Sequence, residues 1–175
     1  MAEFDTPQEE AACTMLKQVL QNHSATYNLS FISLVIVITG LLGDRCKQFC
    51  EAGTDTQEIV LDTCARLKRR VRERQRQPAF SLPHQEEISE DEAVLDEQSF
   101  RTYDALSQLF NDVGAEQGFD YMAGMRICLG LAADIFSLFL HEFDHTLEAL
   151  EQFIDEDLSA ALRSHILLAD PPRDC

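Results

Sequence analysis

Apolar positions recur along this chain mainly with the period of amphipathic helices, not with the alternation of strands. Thr6-Pro7-Gln8-Glu9 reads as a capping box with Pro at the first helical position. The helix it opens is predicted to run to about His23 and to bury Ala12, Met15, Leu16, Val19 and Leu20. Asn28 then precedes an apolar run from Leu29 to Gly43, relieved only by Ser30, Ser33, Thr39 and Gly40. Fifteen helical residues span roughly 22 Å, short of a bilayer's hydrocarbon core, so the run predicts a central helix buried on all sides and no membrane span. The β-branched stretch Val35-Ile36-Val37-Ile38 admits a buried strand as the alternative.

Gly53 is placed to end this unit, and Thr54-Asp55 to cap a third helix that reaches about Arg76 and buries Val60, Cys64, Leu67 and Val71. Residues 77–88, with Pro78 and Pro83, read as a linker. Ser89-Glu90-Asp91-Glu92 is a second capping box, opening a helix that carries Val94, Tyr103, Leu106, Leu109, Phe110 and Val113 before Gly114. From Phe119 to about Ile154 one stripe predicts a single helix of some nine turns, through Met122, Met125, Cys128, Leu129, Ala132, Phe136, Phe139, Leu140, Phe143, Leu147, Leu150 and Ile154. Asp155-Glu156-Asp157 is expected to kink the chain into a last short helix through Leu168, closed by Pro171-Pro172. The expected fold is all-α: one helical-bundle domain of about six helices, with halves 6–76 and 89–169 and a tail 170–175.

The halves resemble each other at a spacing of 90 residues. Leu16-Lys17-Gln18-Val19-Leu20 matches Leu106-Ser107-Gln108-Leu109-Phe110, Gly40-Leu41-Leu42-Gly43-Asp44 matches Gly130-Leu131-Ala132-Ala133-Asp134, and Phe49 matches Phe139. Apolar helices resemble one another easily, so chance competes with a true repeat. A true repeat predicts two three-helix units about a pseudo-two-fold axis, with Gly40 and Gly130 letting the central helices approach.

Charge adds a direction to this outline. The 31 acids against 14 bases give a formal charge of −17 in 175 residues, which opposes direct nucleic-acid binding and suits a partner with a basic surface. Seven bases lie between Arg66 and Arg76, and the acids Glu86, Glu87, Glu90, Asp91, Glu92, Asp96 and Glu97 follow the linker. A helical hairpin in which these runs face each other is the expected arrangement. The acids Asp134, Glu142, Asp144, Glu148, Glu151, Asp155, Glu156 and Asp157 have no Lys or Arg between Arg126 and Arg163, and form the candidate binding face. The opening residues carry no secretory pattern, and the cysteines fall within helical stripes as buried free thiols. Both features lead us to expect a cytoplasmic or otherwise intracellular protein.

One motif could carry chemistry. His141-Glu142-Phe143-Asp144-His145 is H-E-x-x-H, in which two histidines one helical turn apart share a zinc ion and the glutamate deprotonates its water. The motif resembles that of the zincin metalloproteases over these five residues alone. The resemblance implies zinc on His141 and His145 with Glu142 as catalytic base, and Glu148, Glu151 or His165 could supply a third ligand. Zincins also need a β-sheet, which this sequence does not suggest, and the helical phase turns both histidines away from the apolar stripe. Glu142-x-x-His145 also matches half of a di-iron site, but no second Glu-x-x-His occurs. Cys46 and Cys50 could add thiolates, although buried free thiols explain them as well. No Walker, dinucleotide or nucleophile-elbow motif is present. The expected function is a non-enzymatic interaction or regulatory protein (adaptor, immunity protein or inhibitor) acting through the acidic face without a cofactor, in the sharpest form as a mimic of nucleic-acid charge. The alternative is a zinc-dependent hydrolase. A homodimer is left open.

Overall fold

The computed structural model describes residues 3–27, 29–75, 82, 92–142 and 145–168. Over these residues the chain is an all-α bundle without strands: α1 (Pro7–Tyr27), α2 (Phe31–Glu51), α3 (Thr56–Arg74), α4 (Glu92–Gln117), α5 (Tyr121–Glu142), α6 (Leu147–Phe153) and α7 (Ser159–Leu168). The π-helical turn Ile154–Leu158 joins α6 to α7 into one continuous rod, giving six rods. The kink expected at Asp155–Asp157 is this turn. The strand alternative for Val35–Ile38 is not taken, because the stretch lies within α2.

Local signals account for most helix ends. The Thr6 hydroxyl accepts from the Glu9 amide (3.3 Å), while the Glu9 carboxylate accepts from the Asp5 amide (3.1 Å), so the first capping box closes one residue earlier than expected. Ser30 caps α2 and Asp55 caps α3. Gly53, at φ +106°, ends α2: its amide donates to Cys50 O and that of Thr54 to Phe49 O. The fourth helix does not end at Gly114; it continues to Gln117 and stops at Gly118, whose φ is +68°. Asn28, the linker apart from Leu82, the capping box at Ser89 and the tail with its prolines lie outside the described residues.

α2 and α5 form the centre, as their all-round apolar character requires. The stretch Tyr121–His141 is long and apolar enough to cross a bilayer, and 89% of its most apolar window is buried inside this bundle. Met15, expected in the core, is exposed, while Cys13 takes its place facing inward.

The packing is unchanged when the halves are exchanged. α1 packs on α4 and α5, and α4 packs on α1 and α2; α3 packs on α5 and α7, and α7 on α2 and α3. Individual contacts repeat at the 90-residue spacing read from the sequence. Ser30 accepts from the Ser33 amide, and Asp120 from the Ala123 amide. The Phe31–Phe139 ring pair has its counterpart in Tyr121–Phe49. The glycines, however, do not bring the central helices together. A Cβ on Gly40 would stand 2.7 Å from the Tyr103 ring of α4, and one on Gly130 would stand 3.2 Å from Cys13 Sγ of α1, the position 90 residues before Tyr103. Gly40 thus admits the first helix of the opposite half, and Gly130 admits Phe4 and Glu3 ahead of α1 together with Cys13 on it.

Candidate functional site

The H-E-x-x-H motif does not lie on one helix. α5 ends at Glu142, and His145 and Thr146 form a connection in which Thr146 caps α6. The His145 amide donates to Phe139 O (3.3 Å), and its ring lies 5.6 Å from that of Phe31. The two histidines therefore do not sit one turn apart on a single helix, and both are exposed as their phase suggested. Phe143, Asp144 and the Glu142 side chain lie outside the described residues. The same break replaces the single long helix expected from Phe119 to Ile154. Cys46 lies 3.4 Å from the Thr63 hydroxyl and Cys50 3.6 Å from that of Thr56. Burial pushes the thiols of Cys13, Cys64 and Cys128 up to about 12 and that of Cys46 to about 11, which makes them poor nucleophiles.

The acidic face is partly neutralised by the Arg-rich helix. α3 packs on α5 and α7 and not as a hairpin partner of α4. Lys68 Nζ reaches Asp155 (2.7 Å), Arg72 pairs with Glu151, and Arg74 Nε meets Asp134 (2.6 Å), which Lys17 also approaches (2.8 Å). The Arg72 guanidinium lowers the Glu151 pKa. The expected hairpin is corrected accordingly, with Glu97 pairing along its own helix to Arg101; Glu86, Glu87, Glu90 and Asp91 lie outside the described residues. Glu148, Glu156 and Asp157 are exposed.

Two acids at equivalent positions organise the crossings. Asp44 on α2 accepts from Tyr103 of α4 and lies 2.9 Å from His165 Nε2 of α7. Asp134 on α5 is held by Lys17 of α1 and Arg74 of α3. Burial and the Asp44 carboxylate together push the Tyr103 phenol up to about 12. Desolvation opposes ionisation of Asp44, but its bonds from His165 and Tyr103 prevail and lower its pKa. Glu9, buried at the start of α1, receives a two-pronged bond from Arg126 (2.8 and 2.9 Å) that lowers its pKa against the desolvation penalty.

These depressed carboxylates have an acid-stability consequence. Stability from a lowered pKa is complete above the unfolded value, about 4 for Asp and Glu, and is lost as pH falls through the folded value. The Tm difference between wild type and Glu9→Gln should be constant from about pH 7 to 5 and shrink below about pH 4. Thermal melts of both proteins across this range check it; a difference that does not change with pH would remove Glu9 from the acid response.

Beside Asp44 opens a largely apolar cleft of about 460 Å³. Val35, Ile36, Thr39 and Gly40 of α2, Ser99, Phe100 and Tyr103 of α4, and Ala161 and His165 of α7 line it. Phe100 is 66% exposed and Ile36 43% exposed at its edges. Of these positions only His165 was singled out from the sequence as functional, as a possible third zinc ligand. Phe100, three residues before Tyr103, extends the α4 stripe, and Ile36 is lost in an all-apolar run, so neither announces its exposure. No family model, curated protein or solved structure matches the chain, and function is therefore argued from the geometry of this site alone.

Proposed function

We propose that the protein is a non-catalytic interaction module that anchors an apolar segment of a basic partner protein in the α2–α4–α7 cleft. The observation carrying this reading is the cleft itself, edged by the exposed Phe100 and Ile36. Its volume falls within the roughly 300–1,000 Å³ of binding pockets, and apolar surface left open in this way marks interaction sites. Charge selects the partner. Asp104, next to Tyr103 on α4, and Asp157, one turn before Ala161, are exposed, and the chain carries −17 overall. Glu148 and Glu156 extend the negative field that would steer a basic partner. Mimicry of nucleic-acid charge draws less support, because Asp134, Glu151 and Asp155 are occupied by the protein's own bases.

Selection of random displayed peptides on the wild-type protein tests the cleft. Enriched peptides are expected to be apolar with Lys or Arg flanks, and to bind Phe100→Ser and Ile36→Ser at least about tenfold more weakly. Both side chains are substantially exposed, so the variants should melt near wild type. Peptides that bind wild type and both variants equally would sink the reading.

A further inference from the structure

Resting on that reading of the cleft, we infer that its occupant is a short non-helical segment with an aromatic anchor and basic, not acidic, flanks. The chain itself supplies the precedent. Its equivalent cleft in the other half, over Gly130 between α1, α3 and α5, is covered by the N-terminal residues that precede α1. A Cβ on Gly130 would stand 2.9 Å from Phe4 Cζ, so the ring is seated on the glycine. Arg70 Nη2 donates to Glu3 O (3.0 Å), and Arg74 Nη1 donates to the Glu3 carboxylate (3.0 Å). An aromatic residue next to an acid, gripped by two guanidinium groups, therefore closes that cleft.

Exchange of the halves shows what differs at the open one. The ion pair Glu9–Arg126 corresponds to Ser99 and Ile36, which carry no charge. In the third helix of each half the spacing is 91, as the caps Asp55 and Thr146 and the acid partners Arg74 and His165 show. Arg70 and Arg74 thus correspond to Ala161 and His165, both lining the open cleft, and His165 is engaged by Asp44. The cleft keeps its apolar floor but loses the bases that hold a carboxylate, while Asp104, next to Tyr103 in the chain, and Asp157, one turn before Ala161, are exposed. Tyr103, at the position of the smaller Cys13, fills part of the space that Phe4 occupies opposite; the remainder lies between Phe100, Ile36 and Ala161. Among the described residues nothing covers it.

The test uses a terminally blocked peptide, Ala-Lys-Phe-Lys-Thr-Pro, which is the chain's own residues 2–7 with both acids replaced by lysine. The unaltered acidic peptide is the control. Titrated into the ¹⁵N-labelled full chain at low salt, the lysine peptide should saturably shift the amides of Thr39, Gly40, Phe100 and Ala161 and leave Gly130 and Arg74 unmoved. It should bind at least severalfold more tightly than the control and lose about tenfold in affinity to Phe100→Ser. Shifts centred on Gly130, equal binding of the acidic control, or no binding would each overturn the inference. If display-selected peptides of another shape still depend on Phe100, the cleft reading stands while this occupant falls; if they do not, both fall. Concentration-dependent self-association abolished by Phe100→Ser would make a second copy the occupant and likewise overturn it.

Discussion

Replacing Phe139 with alanine should destabilise the protein by about 3–5 kcal/mol, the range for removing a fully buried phenylalanine. Phe139 has no exposed surface, and its ring lies 3.9 Å from that of Phe31 and 5.4 Å, edge-on, from that of Phe136. It also sits where α5 ends, with its carbonyl accepting from His145 across the turn into α6. The cavity would therefore open between both central helices and the start of the last rod. For a chain of this size the loss corresponds to a Tm lower by roughly 10 °C. Its counterpart Phe49 is only half-buried and packs on the exposed Tyr121, so Phe49→Ala should cost about 1–2 kcal/mol. Urea unfolding of the two variants makes the comparison. Equal costs would contradict the asymmetry in burial between the two halves.

The second large effect concerns the acids that join the halves. Asp134→Ala should cost about 2–3 kcal/mol, because Arg74, which keeps only Glu3 and the Gly130 carbonyl, and the partly exposed Lys17 lose the buried carboxylate between them. Asp44→Ala should cost about 1–1.5 kcal/mol, since the Tyr103 hydroxyl it leaves is neutral and half-buried. Adding Lys17→Met to Asp134→Ala should recover part of the loss, because the stranded charge is then reduced. If urea midpoints place Asp44→Ala at or below Asp134→Ala, the charge left behind is not what distinguishes these crossings. The comparison is informative because both acids occupy the same place in the repeat.

The repeat explains much of what was legible beforehand. The match of Gly40–Asp44 to Gly130–Asp134 identified two positions that do the same structural work, and the structure adds their partners. What could not be read was which surfaces the glycines serve. A glycine in an apolar helix announces a close approach but not the approaching element; Gly40 receives α4, and Gly130 receives the residues ahead of α1 and Cys13 on it. The break after Glu142 escaped because Phe143, Leu147 and Leu150 continue the helical stripe across it. Thr146 followed by Glu148 carried a capping signal, but periodicity masked it. The same break separates the two histidines of H-E-x-x-H, whose one-turn spacing presumed an unbroken helix.

Charge pairing was the least legible part of the candidate site. Nearness in sequence suggested that the Arg-rich third helix would meet the acids after the linker, whereas the bundle sets it against α5 and α7. Exposed ion pairs are too weak to choose helix neighbours; burial of apolar stripes chooses them, and the charges follow.

By itself, the sequence determined that this protein is helical, which two helices lie at its centre and where the first and third are capped, and it raised a repeat of the halves without deciding it against chance. These properties rest on local periodicity, capping chemistry and composition, all written into adjacent residues. Only the tertiary structure decided which acids are neutralised, that one cleft is covered by the chain's own Glu3 and Phe4, and that the equivalent one between Phe100 and Ile36 stays open among the described residues. Those outcomes depend on contacts between residues some 60 to 130 positions apart, and no pattern within a single helix records which distant side chain arrives.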